Sequence, residues 1–93
     1  MTTKAVRAVI SGRVQGVWYR GWTVDEARIR RLTGWVRNRN DGSVEALFAG
    51  PPDKVDDMLK ACRLGPPSAE VTDIVVEPVS DPLLHDFDQR PTC

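Results

Sequence analysis

The chain has 93 residues, 41% hydrophobic and 28% charged, with 13 Lys/Arg balanced by 13 Asp/Glu. That is the length of one domain, residues 1–93, and the composition of a folded globule, so disorder and a strongly basic nucleic-acid-wrapping role are both excluded. No apolar run approaches the ~18 residues of a membrane span and no apolar signal core follows the N-terminus, so the expectation is a cytoplasmic protein with no membrane partner.

The balanced total hides an asymmetry. Residues 1–50 carry nine Lys/Arg and four Asp/Glu; residues 51–93 carry four and nine. Either the basic half meets an anion or the two halves complement each other in the fold. The two cysteines suit a reduced compartment, with Cys62 on a helix stripe as a small core residue and Cys93 as a loose end.

Along the chain, Lys4–Ser11 reads as a strand with Val6, Ala8 and Ile10 on one face. A glycine-punctuated loop follows, Ser11 to Gly21. Trp22–Leu32 reads as a helix whose start is marked by Thr23-Val24-Asp25-Glu26, a capping-box pattern, with a start one turn earlier left open. Gly34–Asn38 is a second strand, Asn40-Asp41-Gly42-Ser43 a hairpin turn, and Val44–Ala49 the return strand. Pro51-Pro52-Asp53 opens a second helix with Val55, Met58, Leu59 and Cys62 at i, i+3, i+4, i+7, and Gly65-Pro66-Pro67 stops it. Val71–Val79 is a further strand, with Thr72, Ile74 and Val76 predicted on one side. In the polar tail Phe87 is the large apolar anchor of a possible short edge strand. The order β-α-β-β-α-β predicts an α+β sandwich of the ferredoxin-like kind, with two helices on one face of a four-stranded antiparallel sheet. Such a fold decides nothing about activity.

The chemistry is narrowed by what is missing. The one histidine, His85, lies in the tail, so Ser-His-Asp and Cys-His sites are disfavoured, and no zinc or calcium ligand spacing occurs. Asp56 and Asp57 fit a solvated helix face better than acid–base work. The loop after the first strand is more informative. It matches neither common nucleotide fingerprint, yet it is a glycine-rich strand-to-helix turn ending in Arg20. Consecutive amides in such a turn form an anion nest, a helix N-terminus adds its dipole, and arginine offers a planar fork to phosphate oxygens. The competing reading is a plain turn with a surface arginine. Asn38, ending the second strand, can hold a water through its carboxamide or simply initiate the hairpin. Trp35 reads as packing, while Trp18 stays open between packing and contact with a substrate.

Gly12-Arg13-Val14-Gln15-Gly16-Val17-Trp18-Tyr19-Arg20, then Gly34-Trp35-Val36-Arg37-Asn38 and Asp41-Gly42-Ser43-Val44-Glu45, resemble the acylphosphatase family. The resemblance runs over nearly the whole chain. It implies hydrolysis of acyl phosphates without cofactor or metal; separately, nothing in the sequence demands more than a monomer. It further implies that the backbone N–H groups of Gln15, Gly16, Val17, Trp18, Tyr19 and Arg20 cradle phosphate, that Arg20 binds its oxygens, and that Asn38 orients the attacking water. Two rivals share these features: an acylphosphatase-like regulatory domain that binds phosphate, and a single-stranded RNA-binding module using Arg28, Arg30, Arg31, Arg37 and Arg39. The RNA reading lacks the aromatic pair that stacks bases, and no nucleic-acid partner is expected. One stretch departs from the family pattern. Arg31 falls where a glycine usually takes a left-handed helix cap, and Arg30 where an apolar residue usually packs, which predicts a local cost of about 1 kcal/mol.

Overall fold

The computed structural model describes residues 3–93. The strands are β1 (Lys4–Arg13), β2 (Thr33–Asn38), β3 (Val44–Gly50), β4 (Glu70–Pro78) and β5 (Phe87–Gln89), with helices α1 (Tyr19–Ile29) and α2 (Pro52–Leu64). They form one five-stranded sheet in the order β4-β1-β3-β2-β5. The four longer strands pair antiparallel, as the element order requires. β5 runs parallel to β2, with Gly34 opposite Phe87 and Val36 opposite Gln89. The short fifth edge strand expected at Phe87 is thus present, and it runs parallel to its neighbour while the four longer strands are antiparallel.

Alternation in the strands fixes what faces the helices. Val6, Ala8 and Ile10 of β1, Val36 of β2, and Val44, Ala46 and Phe48 of β3 are all buried. They meet Tyr19, Thr23 and Ala27 of α1 and Val55, Met58 and Cys62 of α2. Phe87 joins this core and stacks on Phe48 with ring centroids 5.5 Å apart, which anchors the tail to the sheet. The predicted face of β4 is corrected: Ile74 alone of that strand is buried, and Thr72 and Val76 are exposed. The register shift between Ser11 and Gly12 takes Thr72 out of the alternation, while Val76, in regular register with Ala8, is exposed on an edge strand that has one neighbour to cover it.

α1 begins one turn earlier than the capping-box pattern indicates. Thr23 lies inside the helix, fully buried, and its hydroxyl donates to the Tyr19 carbonyl at 2.8 Å. At the other end the helix closes through Arg31, which takes the left-handed conformation (φ 56°). The Leu32 N–H donates to the Ala27 carbonyl at 2.9 Å and the Arg31 N–H to the Arg28 carbonyl at 3.0 Å, the two bonds of a Schellman cap. Arg30 does not pack as an apolar residue would. Its guanidinium pairs with Asp57 at 2.8 Å and Glu26 at 3.1 Å.

Those pairs are part of how the charge asymmetry resolves. Lys4–Asp56, Arg7–Glu77, Arg28–Asp86 and Arg30–Asp57 each join the basic half to the acidic half. Asp56 and Asp57 are thus the exposed partners of cations. Arg28, Arg30 and Arg37 are committed to carboxylates, which breaks up the basic cluster an RNA-binding surface would need. No helix among the described residues is long and apolar enough to cross a membrane.

Candidate active site

The segment between β1 and α1 makes its turn with two residues of positive φ, Gly16 (74°) and Trp18 (67°). Glycine adopts this region freely, whereas a bulky residue such as tryptophan rarely does. The alternation of hand turns successive peptide groups toward one side, which is how a chain builds an anion nest. Trp18 stands at the N-cap of α1 but offers no capping side chain, and no acidic residue lies in the first turn. The first helical bond runs from the Trp22 N–H to the Trp18 carbonyl at 3.0 Å. The amides of Tyr19, Arg20 and Gly21 precede it and have no partner within the helix. A helix N-terminus with open amides and no nearby carboxylate is electrostatically set to receive an anion.

Asn38 reaches the same place from the sheet. It stands two residues beyond buried Val36, so its side chain is on the helix-facing side of β2. A pocket of about 150 Å³ forms there, lined by the loop, Arg20 and Gly21 on one wall and by Asn38 and Gln89 on the other. None of the ion pairs among the described residues involves Arg20, unlike the arginines at the far end of α1.

The loop is held from two sides. The Gln15 side-chain amide donates to the carbonyls of Arg39 and Ser43, both at 2.8 Å, pinning the loop to the β2–β3 turn. In that turn the positive φ falls on Gly42 (92°). Tyr19 is buried beneath the loop, and its hydroxyl donates to the Cys62 carbonyl at 2.7 Å. Burial raises the Tyr19 phenol above its ordinary range, so the hydroxyl stays a donor. Burial likewise pushes the Cys62 thiol up to about 12, in keeping with a core residue.

On the opposite sheet face, buried Glu45 accepts from Arg37 at 2.7 Å and from Arg7. Burial raises the pKa of the carboxyl, but hydrogen bonds from Arg37 and Arg7 outweigh it and leave Glu45 below the usual carboxylate range. The Arg37–Glu45 pair sits one register step from Asn38 and its partner Val44, so it braces the strand end that carries Asn38. Trp35 lies on this face with the guanidinium groups of Arg37 and Arg90 4.8 and 5.2 Å from its ring centre, and is a packing residue.

Of the residues expected at the site, Gln15, Gly16, Trp18, Tyr19, Arg20 and Asn38 line the pocket. Val17 does not line it; its side chain packs against the hydrophobic core. Val14, Gly21 and Gln89 line it without having been expected. Gln89 had no local signal, because only the parallel pairing of β5 brings it beside Asn38's strand. His85 is exposed in the tail, away from the pocket lining.

The chain is a small α+β domain, a βαββαβ sandwich in which an uncapped loop-to-helix junction, Arg20 and a facing asparagine meet at one pocket. The acylphosphatase family model matches residues 6–89, and the chain belongs to that family. An acylphosphatase of Rhodospirillum rubrum is 60% identical over 92 residues, spanning 99% of each chain. The crystal structure of the Bacillus subtilis acylphosphatase superposes with a TM-score of 0.91 at 39% identity, covering 96% of this chain and 99% of that one. An acylphosphatase from Coxiella burnetii gives 0.92 at 32% identity, covering 95% and 93%.

Proposed function

We propose that this chain hydrolyses acyl phosphates with the phosphate seated on the open amides of the loop and of the α1 N-terminus, Arg20 on its oxygens and Asn38 on the attacking water. The activity itself follows from family membership. The observation that supports these residue roles is the convergence of Arg20, the loop and Asn38 on one small pocket.

The reaction needs little equipment. The water oxygen attacks phosphorus as the bond from phosphorus to the acyl oxygen breaks. The carboxylate leaves with the electron pair, and since its conjugate acid has a pKa of about 4 it needs no proton from the protein. One water proton passes to a phosphate oxygen of the substrate. Phosphoryl transfer of this kind has a loose transition state, so the protein contributes alignment and charge stabilisation. Arg20 and the amide nest stabilise the equatorial oxygens, and Asn38 fixes the water in line.

The test is hydrolysis of benzoyl phosphate in EDTA by the wild type and by Arg20→Ala. The expected result is metal-free turnover that falls by about a thousandfold or more in kcat/KM in the variant, with unchanged circular dichroism. Turnover that survives the substitution would overturn the assignment of Arg20. A folded wild type without turnover would leave the phosphate-binding regulatory domain as the reading.

A further inference from the structure

Two walls of the pocket differ in chemistry. One is carboxamide, Asn38 and Gln89, from the adjoining strands β2 and β5. The other is the loop, and its large side chain with free apolar surface is Trp18, 64% exposed. The other large apolar lining residues, Val14 and Tyr19, are each 1% exposed and offer almost no accessible surface.

The indole is also held in position. A Cβ at Gly21 would fall 2.1 Å from the Trp18 Nε1 and 2.6 Å from Cε2, so the ring lies directly against the first turn of α1 in space that only glycine leaves. The positive φ of Trp18 (67°) directs the ring there, at the expense of an unfavourable backbone region for a bulky residue. A large apolar side chain held against the pocket rim, and not in the core, is not explained by packing.

In-line displacement relates the two walls. Water and leaving group stand on opposite sides of phosphorus. With water held at Asn38 and the equatorial oxygens on the amides, the acyl group is apical and leaves the pocket past its rim, where Trp18 is the large exposed apolar side chain. We infer that the Trp18 indole is a specificity-determining surface for the acyl group, favouring aromatic and other apolar acyl phosphates over acetyl phosphate. This inference rests on the site assignment above, and it names the part of the substrate that phosphate recognition does not read. A flat π-surface contributes by apolar burial and ring stacking, neither of which an acetyl methyl can match.

The experiment compares kcat/KM for benzoyl and acetyl phosphate in the wild type, Trp18→Gly, Trp18→Phe and Arg20→Ala. The readout is the benzoyl-to-acetyl ratio of each variant relative to wild type, which cancels the different reactivities of the two substrates. Glycine keeps the amide and tolerates the positive φ, while phenylalanine restores a ring. The ratio is expected to fall about tenfold in Trp18→Gly and to recover at least half of that loss, on a logarithmic scale, in Trp18→Phe. A ratio within twofold of wild type in Trp18→Gly would overturn the inference, because a purely structural role lowers both rates together. Arg20→Ala separates the two readings: if it loses activity on both substrates while Trp18→Gly leaves the ratio alone, the site stands and the role of Trp18 fails. If Arg20→Ala retains activity on both, the site itself fails, and this inference with it.

Discussion

At the N-terminal end of α1, left-handed Trp18 precedes a first turn that no side chain caps; at the C-terminal end, left-handed Arg31 closes the helix through two backbone hydrogen bonds. Both are large residues in a region of φ,ψ space that favours glycine. At the C-terminal end the strain accompanies backbone hydrogen bonds to the Ala27 and Arg28 carbonyls, and the neighbouring Arg30 is neutralised by Asp57 and Glu26. At the N-terminal end the strain accompanies amides left open, an arginine outside every ion pair described, and a pocket. The contrast teaches that strain alone does not mark function. What separates the two ends is whether the polar groups beside the strained residue already have partners.

The sharpest way to break the comparison is to remove the group facing the open end. Asn38→Ala should lower kcat about a hundredfold while the inhibition constant of inorganic phosphate changes by no more than a few-fold, measured by steady-state kinetics with phosphate as inhibitor. A loss confined to KM would move Asn38 from water alignment to phosphate binding. Next in size is ligand stabilisation. Inorganic phosphate at about one hundred times its Kd should stabilise the wild type by about 2.7 kcal/mol, and thermal melts of Arg20→Ala at the same concentration should show little of it. The smallest effect belongs to the other end. Arg31→Gly should stabilise the fold by about 1 kcal/mol, raising Tm by roughly 4–8 °C, without altering kcat/KM. The two ends of this helix are about 16 Å apart, so the gains from phosphate and from Arg31→Gly should add. Non-additive melts would mean the ends are coupled and the contrast drawn between them is false.

The reading of α1 illustrates where local pattern misleads. Thr23-Val24-Asp25-Glu26 has the spacing of a capping box, yet Thr23 is a buried interior residue bonded to the Tyr19 carbonyl. The true start carries no capping side chain at all, as suits a terminus whose amides are open to an anion. A start signal built on side-chain caps is blind to such a junction. The face of β4 misleads for a different reason. Alternation predicts Thr72, Ile74 and Val76 together, but an edge strand with a register shift buries only Ile74.

The sequence by itself determined the element order, the inward faces of β1 and α2, and most of the residues that line the pocket, Arg20 and Asn38 among them. These are carried by local periodicity, turn chemistry and short motifs, all of which act within a few residues. Only the tertiary structure decided that Gln15's side chain pins the loop to the β2–β3 turn, that β5 runs parallel beside β2 and brings Gln89 to the pocket, that Val17 turns to the core, and that the Trp18 ring rests on Gly21 at the rim. Each depends on contacts between segments distant in sequence, or on a backbone hand that residue type does not announce, and no local pattern encodes either.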